Sequence, residues 1–230
     1  MIEVIGFDGD DTLWHNETVF SLTQARFREL LAPHVSGDDV DRRLFDTERR
    51  NLTLFGYGVK GFTLSMIETA IELTEGRIAA HEVQAILDAG KAMLDHPVEL
   101  LAGVRDCIRA VAPGRTVLLV TKGDLFDQES KLARSGLAEE FDGVEVVSEK
   151  DEATYRRVLA RHGGDPSTFL MVGNSLRSDV LPALAMGARA VHVPYEITWA
   201  HEVVDAPPGE GERWWTATQL GEVCRIVDRL

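Results

Sequence analysis

What the chain has little of limits it first. Cysteine occurs only at Cys107 and Cys224 in 230 residues, too few for a disulfide-stapled fold. Both fall on the apolar faces of expected helices, where free buried thiols are the ordinary outcome. No apolar run approaches the roughly 20 residues that a membrane-crossing helix needs. The N-terminus has neither the basic start nor the small-residue cleavage site of a secretory signal, so a cytoplasmic protein is expected. Basic residues are scarce, and 24 Lys and Arg against 38 Asp and Glu leave a formal net charge of −14. That sign repels nucleic-acid backbones and anionic membranes, so neither is expected as a partner. A small phosphorylated ligand, held by local groups and a metal, remains compatible. His34, His81, His96 and His201 have no zinc-ligand spacing with the cysteines. Internal repeats and low-complexity segments are absent, and 44% hydrophobic residues suffice for a real core in one domain or two.

What is present is organised around one stretch. Ile2 to Phe7 reads as a buried strand, and it stops at Asp8-Gly9-Asp10-Asp11-Thr12. In open α/β sheets ligands bind beyond the carboxyl ends of strands, which puts these acids at the rim of a site. Residues two apart on an extended chain point the same way, so Asp8 and Asp10 address one substrate while Asp11 turns aside. Close carboxylates need a metal, a proton or a basic side chain to balance them. An acidic turn that merely closes a strand is the alternative reading.

From Glu17 to His96 the periodicity becomes helical. Phe20, Phe27, Leu30 and Leu31 form one stripe, Val40, Leu44 and Phe45 a second, Phe62, Met66, Ile67, Ala70 and Ile71 a third, and Val83, Ile86, Leu87, Met93 and Leu94 a fourth. Between the second and third, Phe55 to Phe62 holds three glycines and three aromatics. It reads as either a helix-to-helix connection or, in preference, a flexible loop that contacts substrate, with Tyr57 and Lys60 as the contacting side chains. The arginines Arg42, Arg43, Arg49 and Arg50 read as a solvated helix face. After Pro97 strands return in alternation with helices. Thr116 to Val120 ends in Thr121-Lys122-Gly123, Val144 to Ser148 is followed by Lys150, Phe169 to Val172 ends in Gly173-Asn174, and Ala190 to Val193 makes a fifth. Alternating strands and helices imply right-handed crossovers and a mainly parallel sheet covered on both faces. Trp214 and Trp215 are expected to pack in the core.

Four polar sites thus fall at or near strand ends. Asp8-x-Asp10-x-Thr12, Thr121 after an apolar strand, Lys150 before a helix, and Gly173-Asn174 with Asp179 resemble, in type and order, the four motifs of the haloacid dehalogenase-like hydrolase superfamily. The resemblance spans Ile2 to Val193. It implies an α/β fold with a Rossmann-like three-layer core built from 1–14 and 97–230, and an inserted four-helix cap over 15–96.

The resemblance also implies phosphoryl transfer, and the residue types suit it. Asp8 is expected as the nucleophile that forms an aspartyl-phosphate, and Asp10 as the acid that protonates the leaving oxygen and then the base that activates water. Thr121, Lys150 and the backbone and side-chain donors of Lys122 and Gly123 are expected to hold the phosphoryl oxygens. Lys150 should also lower the pKa of Asp8. Mg²⁺ fits an oxygen-rich set of Asp8, the Asp10 carbonyl, Asn174 and Asp179. Asn174 departs from the family pattern, which usually has aspartate there. It brings no charge, and both it and Asp179 also fit the role of helix caps. The expectation is a Mg²⁺-dependent phosphatase of a small phosphorylated metabolite, monomeric or homodimeric. A 2-haloacid dehalogenase, a phosphoglycomutase-like enzyme and a catalytically weak phosphometabolite-binding protein are the alternatives. Asp10 disfavours the dehalogenase, because a halide leaves without a proton.

Overall fold

The computed structural model describes residues 1–230, which divide into two compact units. One comprises Met1–Glu17, Val98–Lys122 and Gln128–Leu230, the other Thr18–Pro97 and Gly123–Asp127. The first unit is α/β, as the alternating pattern predicts. Its six strands are β1 (Val4–Phe7), β2 (Thr116–Lys122), β3 (Gly143–Val147), β4 (Phe169–Gly173), β5 (Arg189–His192) and β6 (Trp214–Thr216). They pair in the order β3-β2-β1-β4-β5-β6, all parallel. β1 is therefore an interior strand.

Alternation along the strands sorts their side chains to two cores. Ile5, Phe7, Leu119, Leu170, Val172 and Val191 point to one face. There they meet α5 (Val104–Val111) and α9 (Leu220–Val227). Val4, Leu118, Val120, Phe169, Met171 and Ala190 point to the other face, against α7 (Glu152–Arg161) and α8 (Leu181–Ala185). With both faces buried, the strands need no polar side, and this is why they read as continuous apolar runs. Gly6 is small because the Phe169 ring fills its place: a Cβ on Gly6 would lie 2.9 Å from Phe169 Cζ.

Parallel pairing brings the strand tips to one edge. Phe7 is in register with Leu119 on one side and Val172 on the other. Asp8 is thus flanked by the ends of β2 and β4. The sixth strand was not legible in the sequence. Trp214 is buried as expected, but Trp214–Thr216 also adds an edge strand beside β5, and three residues are too short for a period-2 signal.

The second unit contains α1 (Glu17–Leu31, from Thr18 onward), α2 (Gly37–Phe55), α3 (Val59–Leu73) and α4 (Ala80–Asp95). Its core gathers Phe27, Leu31, Val40, Leu44, Phe62, Met66, Ile86 and Met93, one stripe from each helix. α3 and α4 approach closely at Gly90, where a Cβ would meet the Thr63 hydroxyl. The stretch expected as an eight-residue loop is mostly helical. Phe55 ends α2 and Val59 starts α3, leaving Gly56 to Gly58 as the turn, with Gly56 and Gly58 at φ 71° and 111°. The arginine face is not wholly solvent-directed either: Arg50 bridges α2 to α3 through Glu68 and Glu72, each at 3.1 Å. No helix is long and apolar enough to cross a membrane.

Candidate active site

The turn after β1 is built to present carboxylates. The Gly9 carbonyl accepts from the Leu13 N–H at 2.8 Å, and Asp11 takes a left-handed φ of 61°. A Cβ on Gly9 would lie 2.9 Å from the Trp14 ring and 3.2 Å from Thr121 Oγ1, so only glycine lets the turn pass between them. Asp11 does turn aside. Its carboxylate accepts from the backbone N–H groups of Asn16 and Glu17 at 2.9 and 3.0 Å, at the entry to α1. Burial pushes its pKa up to about 7 against those bonds.

Lys150 is the centre of the charge balance. It precedes the α7 N-cap, Asp151, whose side chain accepts from the Thr154 N–H at 2.7 Å. Its buried ammonium lies 2.5 Å from Asp8 Oδ1 and 2.7 Å from Asp179 Oδ1. One cation therefore serves two buried carboxylates. Burial pulls the Lys150 pKa down, but Asp179 and Asp8 outweigh it and hold the group above its ordinary value. Asp8 moves opposite to the sequence expectation. Lys150 does lower it, yet burial, reinforced by Asp179, pushes it up to about 7. Two carboxylates around one ammonium leave a net negative charge that water does not solvate, and retaining a proton relieves it.

Asp10 is more tightly held than a free acid. Its oxygens accept from Trp14 Nε1 at 2.6 Å, Gln128 Nε2 at 2.9 Å and Lys131 Nζ at 2.9 and 3.1 Å. Gln128 and Lys131 are three apart on α6 (Leu125–Ser135), hence on one face. Neither Gln128 nor Lys131 was identifiable as a donor from the sequence, because nothing in it places α6 beside the β1 turn. Thr121 is buried at the end of β2, with its hydroxyl 3.3 Å from Gln128 Oε1.

The turn after β4 supplies Asn174 and Asp179. Asn174 does not cap a helix: the cap is Ser175, whose hydroxyl accepts from the Ser178 N–H, and Asp179 sits inside the π-helical turn Leu176–Val180. Asp179 is fully buried and accepts from the Ser175 N–H at 3.0 Å through Oδ2. Gly173 makes room for it, since a Cβ there would fall 2.1 Å from Asp179 Oδ2. Thr12 joins the two motifs. Its Oγ1 accepts from the Asn174 N–H at 2.9 Å and lies 3.3 Å from Asp8 Oδ2 and 3.4 Å from Asn174 Oδ1. His192, at the end of β5, bonds the Asn174 carbonyl oxygen at 2.9 Å.

Of the remaining predicted contacts, Lys122 is already engaged. Its ammonium lies 2.6 Å from Glu202 Oε1 and 2.8 Å from Ser178 Oγ. Gly123, Tyr57 and Lys60 belong to the helical unit. There Lys60 pairs with Asp124 at 2.9 Å and lies over the Phe126 ring. A cavity of about 360 Å³ in that unit is lined by Phe27, Leu30, Met66 and Ile86 among others, and by none of the predicted site residues.

Toward a metal the site offers oxygen donors only. No three His, Cys, Asp or Glu side chains gather with metal-holding geometry, but Asp8 Oδ2 and Asn174 Oδ1 converge on the same Thr12 hydroxyl. Few carboxylates and neutral oxygens suit Mg²⁺, which keeps several of its waters.

A sequence model of the haloacid dehalogenase-like hydrolases matches residues 2–187. Among solved structures, a haloacid dehalogenase-like family hydrolase from Xanthomonas campestris is similar at 46% identity and a TM-score of 0.89, over 99% of this chain and 91% of that one. A predicted phosphoglycolate phosphatase from Haemophilus somnus shares the fold at 18% identity and a TM-score of 0.64, over 98% and 97% of the two chains. L-2-haloacid dehalogenase from Xanthobacter autotrophicus shares it at 17% identity and a TM-score of 0.68, over 100% of each. No curated protein sequence matches significantly.

Proposed function

The chain belongs to the haloacid dehalogenase-like hydrolases, and from that premise we propose that it is a Mg²⁺-dependent phosphatase of a small phosphorylated metabolite. The observation that carries this reading is Asp10, a second carboxylate two residues beyond Asp8, fixed by Trp14, Gln128 and Lys131. Cleaving a phosphate monoester needs a proton at the leaving oxygen, whereas expelling a halide does not, so a fixed second acid serves the first reaction and not the second.

Asp8 attacks phosphorus, forming the Asp8 O–P bond as the P–O bond to the leaving group breaks. Asp10 gives that oxygen its proton. Asp10 then takes a proton from water, which attacks phosphorus and releases phosphate and the Asp8 carboxylate. Lys150 and Thr121 stabilise charge on the phosphoryl oxygens. Asp8, Asn174 and the Asp10 carbonyl would hold Mg²⁺, with Asp179 contributing buried negative charge, and the ion would supply charge neutralisation at the phosphoryl group. Substrate choice is assigned to Tyr57, within the Gly56 to Gly58 turn of the helical unit, and Lys60, at the start of α3.

The test is release of phosphate from p-nitrophenyl phosphate with and without Mg²⁺, beside release of chloride from 2-chloropropionate. Mg²⁺-dependent phosphate release without chloride release is expected. Chloride release alone would replace this reading with a dehalogenase.

A further inference from the structure

Glu202 lies beyond the stretch matched by the family model, in a short helical turn, Ala200–Glu202, between β5 and β6. Its carboxylate bonds three side chains at once. Oε1 takes the Lys122 ammonium at 2.6 Å, and Oε2 takes the hydroxyls of Ser175 at 2.5 Å and Ser178 at 2.6 Å. Lys122 closes the ring by bonding Ser178 Oγ at 2.8 Å, and Glu149 stands 3.6 Å from the same ammonium. A neighbouring tie runs from the Arg177 guanidinium to the His201 carbonyl oxygen at 2.6 Å. Burial opposes a charge on Glu202, but Lys122, Ser175 and Ser178 outweigh it and keep the carboxyl below its ordinary pKa.

The partners are not arbitrary surface groups. Lys122 follows Thr121 at the tip of β2, and Ser175 follows Asn174 after β4. Ser175 also caps the turn that carries Asp179 and donates its own N–H to Asp179 Oδ2. We propose that Glu202 is a positioning residue of the active site: one partly buried carboxylate binds the β2 tip to the Asn174 turn, and so fixes Asn174 and Asp179 for the metal and Thr121 for the phosphoryl group. The catalytic consequence rests on the phosphatase reading, whereas the metal-holding consequence does not. It also gives Lys122 a different task from direct substrate contact, because its ammonium is spent on the latch.

Glu202→Ala and Glu202→Gln test this beside Val223→Ala, a cavity variant of α9 in the same unit that touches none of these groups. Two readouts are needed: kcat and KM for p-nitrophenyl phosphate, and the Mg²⁺ concentration at half-maximal rise in melting temperature, which requires no turnover. Supporting partners of metal ligands typically change affinity or activity by about 10–100-fold when removed. Glu202→Ala is expected to lower kcat and to raise the Mg²⁺ midpoint, each by about tenfold or more, with KM nearly unchanged. Glu202→Gln, which keeps one acceptor oxygen, should recover part of both, and Val223→Ala should lose melting temperature while keeping both wild-type values. Equal Mg²⁺ midpoints in wild type and Glu202→Ala overturn the proposal. So does a matching change in Val223→Ala, or a wild type whose melting ignores Mg²⁺. A wild type that binds Mg²⁺ through this latch yet releases no phosphate overturns the phosphatase reading alone.

Discussion

Asp8 and Asp179 share one ammonium, and that arithmetic makes the Asp8 charge costly to the metal-free protein. In the folded state Asp8 is pushed up to about 7 by burial and by Asp179, from an ordinary 3.8. The folded state then binds more protons than the unfolded one between those values, so this contribution is full below pH 4 and is lost as pH rises through 7. Asp8→Asn removes the buried charge while keeping the shape. Its turnover should fall by about a thousandfold or more, as expected for a lost nucleophile. In chelator, its melting temperature should exceed wild type by a few degrees at pH 8, and the gap should close at pH 5. Melting curves at the two pH values check the sign. A lower melting temperature for the variant at pH 8 would mean that the Lys150 contact outweighs the burial of charge. Gly173→Ala belongs to the same scale. A Cβ 2.1 Å from Asp179 Oδ2 cannot be accommodated without moving the second carboxylate off Lys150, so activity should drop by about tenfold or more with a loss of roughly 1–3 kcal/mol in stability.

At the scale of elements, α6 does what its sequence does not announce. Its face bearing Gln128 and Lys131 fixes Asp10, and Lys131 also bonds Asn16 Oδ1 at 2.8 Å. Removing the amine in Lys131→Met leaves Asp10 with two donors and more freedom. In the proposed mechanism Asp10 is the proton donor, and misaiming it harms substrates whose leaving groups need protonation. The loss in kcat/KM should be about tenfold greater for an alkyl phosphate than for p-nitrophenyl phosphate, and equal losses would place Lys131 outside the proton transfer. The packing of α5 against α9 carries the two thiols. Cys107 is buried and its pKa is pushed up by burial and by Cys224, which is itself half-buried and unlinked. Native protein should therefore react slowly with a thiol reagent, and both cysteines should label at once on unfolding.

For the molecule as a whole, a charge of −14 makes a simple salt such as NaCl stabilising by screening self-repulsion. Specific Mg²⁺ binding must therefore appear as a melting-temperature gain beyond that of NaCl at equal ionic strength. Asn174→Asp sharpens the measurement. It adds a charge beside Asp8 and Asp179, which strengthens attraction for Mg²⁺ and adds repulsion without it. The variant should melt lower than wild type in chelator and show a larger gain with Mg²⁺. Identical responses would mean that Asn174 does not touch the metal, although its amide oxygen and Asp8 Oδ2 both face the Thr12 hydroxyl.

The sequence by itself determined the parallel α/β sheet and the identity of the strand tips, because apolar runs that end in Asp8, Thr121 and Gly173-Asn174 carry their signal locally. Pairings across more than a hundred residues carry none. Only the tertiary structure decided that Lys150 is shared between Asp8 and Asp179, that α6 brings Gln128 and Lys131 to Asp10, and that Glu202 ties β2 to the Asn174 turn. It also reversed the expected direction for the Asp8 pKa. A nearby ammonium is visible in a motif, whereas the depth of burial that outweighs it depends on every strand and helix packed around the site.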